Sequence, residues 1–173
     1  SKLYSKRIDR ISGSDFAYSL VELADRQNLS VLLVSRSDGL DPTSSETAKS
    51  VLSQRYKGAK LHAYVFDNTN LDVNPKHMQS YKADIILLGL GTPLAEVWAA
   101  QHLSSFKKPT IMLCCGGGID FIAGIQKRAP KLMRKLGFEW LWRLIRQPKR
   151  IFRQFALVKF VRLILKQKHS RTG

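Results

Sequence analysis

Two glycine-rich runs in the sequence could hold an anionic ligand through their backbone. They are Gly89-Leu-Gly-Thr-Pro93 and Gly116-Gly-Gly118, and each follows an apolar segment. Glycine has no Cβ, so backbone N–H groups in such loops can approach a phosphate closely. Neither run is a Walker A loop or has G-x-G-x-x-G spacing, and tight turns also use glycine for steric reasons alone. The predicted ligand contacts within them are Gly91, Pro93, Gly116, Gly117 and Gly118.

Alternating helices and strands must position these loops. Apolar residues recur every three or four positions at Phe16, Leu20, Leu23 and Ala24, which predicts a helix before the first strand. Continuous apolar strands are predicted over 31–34, 85–90 and 110–115, with a weaker strand over 60–66. Helices are predicted over 44–56, around 75–83 and over 93–104. This order indicates a Rossmann-like α/β fold, a parallel sheet with helices on both faces, whose ligands bind at the carboxyl ends of the strands.

Charge is distributed unevenly along the chain. Residues 1–125 carry 14 Lys+Arg and 12 Asp+Glu, whereas residues 126–173 carry 15 Lys+Arg and one acid, Glu139. We therefore predict an α/β core over 1–125 and a basic helical appendage over 126–173. Such an excess of positive charge indicates a polyanionic partner, which could be phospholipid, nucleic acid or a phosphorylated substrate.

The end of the appendage has the pattern of an amphipathic helix. Between 148 and 168, apolar side chains such as Ile151, Phe155 and Val158 recur at helical spacing, and most cations lie elsewhere on the circumference. Helices of this kind bind anionic membrane surfaces, with about 1 kcal/mol from each cation near the surface. The alternative is a helix docked on its own domain. No recognised nucleic-acid motif accompanies the pattern, so we do not predict a nucleic-acid partner.

Cysteine and histidine are too sparse for a metal site. The chain has 4 His and 2 Cys, the latter adjacent at Cys114 and Cys115, without a Cys-x-x-Cys pair. Adjacent cysteines in an apolar run are typical of a reduced cytoplasmic protein. The first residues lack the apolar core of a signal peptide, and no apolar run approaches the roughly 20 residues that cross a bilayer. We expect a cytoplasmic protein without metal or cofactor.

A long motif in residues 116–153 resembles the signature of the WecG/TagA/CpsF glycosyltransferases, glycosyltransferase family 26. From Gly116 the chain reads G-G-x-x-D-x-x-x-G-x-x-x-R-A-P, and from Gly137 it reads G-x-E-W-L-x-R-L-x-x-x-P-x-R. Weaker similarity extends to Arg10–Asp15 and to Gly89–Glu96. The resemblance therefore covers nearly the whole chain.

This resemblance implies transfer of an N-acetylmannosamine-type or related sugar from a UDP-sugar to a polyprenyl-diphosphate-linked acceptor. The reaction would be inverting and metal-independent, so cationic side chains or backbone N–H groups must stabilise the leaving diphosphate. The implied role is cell-surface polysaccharide biosynthesis by a peripheral protein at the anionic inner leaflet of the plasma membrane. Family members often self-associate, so a homo-oligomer is a further expectation.

The resemblance also carries catalytic candidates onto this chain. Arg10 and Asp15 match the family's R-V-x-G-x-D element, where the arginine lines the active site, although Asp15 fits a helix N-terminal charge equally well. Glu96 matches the last position of the family's P-K-Q-E. Asp120 matches G-G-x-x-D, where it contacts sugar or nucleotide or, as we slightly favour, caps the next helix.

Four arginines are the implied phosphate contacts. Arg128 belongs to the R-A-P match, where it holds phosphate or pairs with an acid. Arg143, Arg150 and Arg153 stand where the family's C-terminal appendage supplies arginines to the leaving group. Their spacing puts them near one face of a helix that continues through Pro148, although proline can kink it. Contact with lipid headgroups is the alternative.

The chain also departs from the family pattern. Only nine residues precede Arg10, so the family's N-terminal unit, with its Asp-Gly loop and presumed base, has no counterpart. Ala95 replaces the glutamine of P-K-Q-E, and Ser35-Arg36 replaces a glycine pair. These changes remove polar and glycine positions from the donor pocket. The alternative function is therefore an inactive or fragmentary family member that binds membrane and UDP-sugar.

Overall fold

A computed structural model describes residues 12–67 and 75–127, together with 129, 130, 133, 141 and 142. The chain divides into two units, Ser1–Lys127 and Arg128–Gly173. The helices and strands named below all lie in the first unit. Almost all of the predicted appendage lies outside the described residues, as do five of the predicted site residues: Arg10, Arg128, Arg143, Arg150 and Arg153.

Helices and strands alternate along the first unit. The strands are β1 (Ser30–Arg36), β2 (Lys60–Phe66), β3 (Ile85–Leu88) and β4 (Ile111–Cys114). The helices are α1 (Gly13–Gln27), α2 (Ser44–Arg55), α3 (Lys76–Ser80), α4 (Leu94–His102) and α5 (Gly118–Ile122), with a 3-10 turn at Leu103–Ser105. This order confirms the predicted α/β fold and gives the bounds of α5, the helix that follows the second glycine run.

The strands form a parallel sheet in the order β2-β1-β3-β4. β1 is central, and Val31 pairs with Leu61 of β2 on one side and with Ile85 of β3 on the other. After β1 the chain forms β2 on one side of that strand, and it then crosses over to form β3 on the other side. The switch point of the sheet, where ligands of such folds bind, therefore lies between β1 and β3.

An apolar core covers each face of the sheet. Residues 31, 33, 85 and 87 pack against α1, α2 and α5 on one face. Their neighbours 32, 34, 86 and 88 pack against α3 and α4 on the other. Burial on both faces explains why these strands are continuous apolar runs instead of alternating ones.

The helix predicted before the first strand is α1, but its buried face follows the apolar recurrence only in part. Leu20 and Ala24 are buried, whereas Phe16 and Leu23 are 44% and 39% exposed. Ala17 and Val21 complete the buried stripe, because positions 17, 20, 21 and 24 follow the i, i+3, i+4, i+7 spacing of one helix face. Within the described part of the chain, no helix combines the length and apolar character needed to cross a bilayer.

Candidate functional site

Both predicted glycine runs lie at the carboxyl edge of the sheet. Gly89–Pro93 follows β3 and Gly116–Gly118 follows β4, and these strands are neighbours in the sheet. The start of α1 reaches the same edge, because a Cβ on Gly13 would stand 3.8 Å from the Cα of Cys115. The fold thus brings together loops that are separated along the sequence.

The loop after β3 contains one glycine required by packing and one that lies open. A Cβ on Gly89 would stand 2.7 Å from the Val34 carbonyl oxygen and 2.8 Å from Cγ1 of Ile119, so this glycine lets α5 approach the β1–β3 pair. Gly91 has φ +78°, and the nearest described atom to its hypothetical Cβ is Nη1 of Arg36, at 3.9 Å. The next peptide bond, Thr92–Pro93, is cis.

The loop after β4 also contains both an open glycine and a closely packed one. Gly116 has φ +53°, and no described atom lies within 4 Å of the place of a Cβ. A Cβ on Gly117 would be 3.7 Å from Oδ2 of Asp120, an ordinary contact. Gly118 is buried, and a Cβ there would stand 3.0 Å from Cβ of Cys115 and 3.6 Å from Cα of Ser14. Gly116 therefore leaves open space in this loop, Gly117 lies beside Asp120, and Gly118 permits close packing of α1.

Asp120 is held towards α2. It lies in the first turn of α5, after the N-cap residue Gly117, which makes no side-chain cap hydrogen bond. Its Oδ1 accepts a 2.8 Å hydrogen bond from Oγ of Ser44, a residue 1% exposed at the start of α2. The same hydroxyl lies 2.7 Å from the carbonyl of Asp41, so its single proton is shared between two acceptors. Asp120 thus keeps its place in the first turn of α5, and one of its carboxylate oxygens accepts from Ser44 of α2.

Asp15 has the geometry of a helix-terminal charge. It lies in the first turn of α1, and its backbone N–H donates to Oγ of the N-cap residue Ser12 at 3.2 Å. The Ser12 hydroxyl in turn donates to Oδ2 of Asp15 at 2.6 Å. A carboxylate at this position stabilises the helix N-terminus. Because α1 and α5 cover the same face of the sheet, Asp15 lies on the same side of the sheet as Asp120.

Glu96 lies on the opposite side of the sheet. It is exposed in the first turn of α4, where Oε1 accepts a 3.0 Å hydrogen bond from Oγ1 of Thr92. The neighbouring Ala95 is 1% exposed and belongs to the core beneath α4. Of the three predicted carboxylates, Asp15 and Asp120 therefore lie on one face of the sheet and Glu96 lies on the other.

The two cysteines are free and poorly suited to nucleophilic chemistry. Burial raises the pKa of the Cys115 thiol to about 12. Burial also raises the pKa of Cys114, and the negative charge of Glu96 raises it further. Thiols with raised pKa values carry little thiolate at neutral pH. Among the described residues, no group of three or more His, Cys, Asp or Glu side chains could hold a metal ion.

Two polar residues at this edge were missed as site candidates in the sequence. Arg36 ends β1 at the switch point and donates from Nη1 to the Leu90 carbonyl at 3.0 Å. Ser44 holds Asp120, although the two are 76 positions apart. The available signals were a cation directly after an apolar strand and a hydroxyl-rich run, Thr43-Ser44-Ser45, at the start of a helix.

Comparison with known proteins assigns a family. The family model described as "Glycosyl transferase WecG/TagA/CpsF family" matches residues 1–173. A relative from Staphylococcus aureus strain MW2 is 30% identical over 162 residues, which are 93% of this chain and 62% of the relative. A relative from strain MRSA252 is 29% identical with the same coverage. Both relatives are named N-acetylglucosaminyldiphosphoundecaprenol N-acetyl-beta-D-mannosaminyltransferase, and the chain spans 62% of their length.

Proposed function

This chain belongs to the WecG/TagA/CpsF glycosyltransferase family, and on that premise we propose that it supplies the donor-binding core of an N-acetylmannosaminyltransferase. The proposed donor is a UDP-sugar, and the proposed acceptor is polyprenyl-diphosphate-linked N-acetylglucosamine, as in the names of the relatives. One observation carries the proposal. Two open glycine loops and a positioned aspartate meet at the carboxyl edge of the sheet in a chain that the family model matches throughout.

The proposed donor site uses the two loops for the diphosphate. Backbone N–H groups around Gly91 and Gly116 bind phosphate oxygens, because neither position carries a side chain that would block their approach. These groups stabilise the negative charge that develops on the departing UDP. The family resemblance adds Arg143, Arg150 and Arg153 to this task, and these three lie outside the described residues.

The proposed reaction is a single displacement that inverts the anomeric carbon, without a metal ion. The acceptor hydroxyl oxygen forms a bond to that carbon as the bond to UDP breaks, and the hydroxyl proton passes to a carboxylate. Asp120 is our first choice among the described carboxylates, because Ser44 fixes it beside the open Gly116–Gly117 backbone. Asp15 and Glu96 are the remaining candidates, and Arg10 is a further proposed site residue.

The proposed location is the inner face of the plasma membrane. The excess of cations in residues 126–173 would bind anionic headgroups there, next to the lipid-linked acceptor. This arrangement suits a peripheral enzyme of cell-envelope polysaccharide biosynthesis.

Acceptor-dependent release of UDP tests the proposal. The purified chain is mixed with UDP-N-acetylmannosamine, a polyprenyl-diphosphate-N-acetylglucosamine analogue and anionic vesicles. We expect UDP to be released only when the acceptor is present, and to fall strongly in Asp120→Asn, which keeps the shape of the side chain but loses its charge. A folded wild-type chain that releases no UDP under these conditions would contradict the proposal.

One observation favours a second candidate function, binding of UDP-sugar and membrane without catalysis. Ala95, which stands where the family resemblance places a glutamine, is buried in the core instead of lining an open site. This reading predicts that the chain binds UDP-sugar and anionic vesicles but releases no UDP with acceptor. The same assay therefore separates the two functions.

A further inference from the structure

Arg36 occupies the point of the sheet at which an anionic ligand would arrive. It is the last residue of the central strand β1, and β3 lies directly beside that strand. Its side chain is 23% exposed, so the guanidinium is largely buried at the switch point of the sheet and keeps some access to solvent.

The guanidinium is held by the loops that follow β1 and β3. Nη1 donates to the Leu90 carbonyl at 3.0 Å, and a Cβ on Gly91 would stand 3.9 Å from the same nitrogen. On the other side, Nε and Nη2 donate to the two carboxylate oxygens of Asp38 at 2.7 and 2.5 Å. The cation is thus fixed against the open Gly91 backbone before any ligand binds, which reduces the entropy lost on binding.

Hydrogen-bond donors remain after these contacts are counted. A guanidinium carries five N–H groups, and the bonds to Leu90 and Asp38 use three of them within the described part of the chain. A planar guanidinium with unused N–H groups is well matched to phosphate oxygens.

We propose that Arg36 binds the diphosphate of the UDP-sugar donor, and that Asp38 orients it while reducing its positive charge. This inference rests on the proposed function, because it takes the donor to be a uridine diphosphate sugar. It adds to the glycine loops a side chain that contacts phosphate directly.

Binding of UDP and of uridine to the full chain tests this role by calorimetry and NMR titration. Arg36→Ala should weaken UDP binding by about tenfold or more, because a charge-assisted hydrogen bond is lost. Uridine has no phosphate, so the Kd of this variant for uridine should stay within about twofold of the wild-type value. Arg36→Gln should behave in the same way, since its amide is polar but has no charge, and it serves if the alanine variant fails to fold.

Two further variants sharpen the test. Asp38→Asn should tighten UDP binding, because it removes a negative charge beside the phosphates and keeps an oxygen for Arg36. Arg26→Ala is the matched control, since it removes an equal charge from an exposed arginine paired with Glu22 on α1 and should leave UDP binding unchanged.

The outcomes distinguish the two proposals. Equal losses of UDP and uridine binding in the Arg36 variants would show that Arg36 only supports the loop, and unchanged UDP binding would show that it has no part in the site. Either result overturns the Arg36 proposal alone. A folded wild-type chain that does not bind UDP would overturn the donor assignment, and the Arg36 proposal with it.

Discussion

At the residue scale, the site depends on contacts between side chains that are far apart in the sequence. Asp120 owes its orientation to Ser44, and Arg36 owes its orientation to Asp38 and Leu90. Both arrangements place a charged group beside a glycine whose hypothetical Cβ position is largely open. We therefore propose that Asp120 and Arg36 contact the substrates and that the residues bound to them position them.

Replacing Ser44 should separate positioning from stability. Ser44→Ala removes the hydroxyl that donates to Asp120, and we expect UDP release to fall by about tenfold, the equivalent of one modest hydrogen bond in the transition state. Ser45→Ala is the control, because Ser45 is equally buried in the same helix turn and accepts a hydrogen bond from Oγ of Ser35 at 2.9 Å.

Both serine variants should lose about 1 kcal/mol in the free energy of unfolding, since each loses a buried hydrogen bond. Chemical denaturation measures that loss of stability. The UDP-release assay measures the difference in turnover between the two serine variants. Equal turnover in the two variants would show that Ser44 does not act through Asp120.

At the scale of elements, the amino edge of the sheet is tied together by one carboxylate. Asp84 accepts hydrogen bonds from Nζ of Lys108, at 2.6 Å, and from the backbone N–H of Ser30, at 2.9 Å. It thereby joins the starts of β1 and β3 to the segment before β4. The Lys108 hydrogen bond, followed by that of Ser30, lowers the pKa of Asp84 below its ordinary value of 3.8.

Stability should therefore depend on pH through Asp84. Because the pKa is lower in the folded chain, ionised Asp84 stabilises the fold above the unfolded pKa, and this contribution is lost as pH falls through the folded value. Asp84→Asn should cost about 1–2 kcal/mol at pH 7. The difference from wild type in urea denaturation should shrink as pH is lowered below about 4, and a difference that stays constant with pH would contradict the assignment.

The close approach of α5 to the sheet depends on a single glycine. In Gly89→Ala the added methyl group would collide with the Val34 carbonyl and with Ile119, so we expect a loss of about 1–3 kcal/mol in the free energy of unfolding. Gly117→Ala is the control, because its Cβ would make only ordinary contacts at a φ of −71°. In thermal denaturation, the melting temperature of Gly89→Ala should be well below that of Gly117→Ala. Similar melting temperatures would contradict this explanation of the packing.

Much of the element order could be predicted from sequence, whereas the site geometry could not. Residues 31–34 and 85–88 are continuous apolar runs because helices cover both faces of the sheet, and this pattern survives in the sequence. The recurrence of Phe16, Leu20, Leu23 and Ala24 predicted the helix but not its buried face, since small residues such as Ala17 also fill a helix face. The Ser44–Asp120 contact spans 76 positions, and no local pattern encodes such a distance.

At the scale of the whole molecule, a nearly neutral α/β unit precedes a strongly basic segment. We propose that the first contains the donor site and that the second attaches the protein to anionic lipid. The apolar and cationic periodicity of residues 148–168 supports these separate roles, although that segment lies outside the described residues.

Removing residues 148–173 should therefore abolish binding to membranes. We expect the full chain to sediment with vesicles that contain anionic lipid and to bind less at high salt, because exposed charges are screened. The shortened chain should stay in the supernatant, with the circular dichroism of the α/β unit retained as its control. Undiminished sedimentation of the folded, shortened chain would contradict the membrane role.

The most direct test of the central claim is hydrogen–deuterium exchange of the full chain with and without UDP. If the donor binds at the carboxyl edge of the sheet, UDP should slow exchange in peptides covering 89–94 and 115–122, the loops after β3 and β4. Peptides covering 79–84 and 106–110, at the opposite edge, should be unchanged. Slowed exchange confined to that opposite edge, or no change anywhere in the chain, would contradict the account.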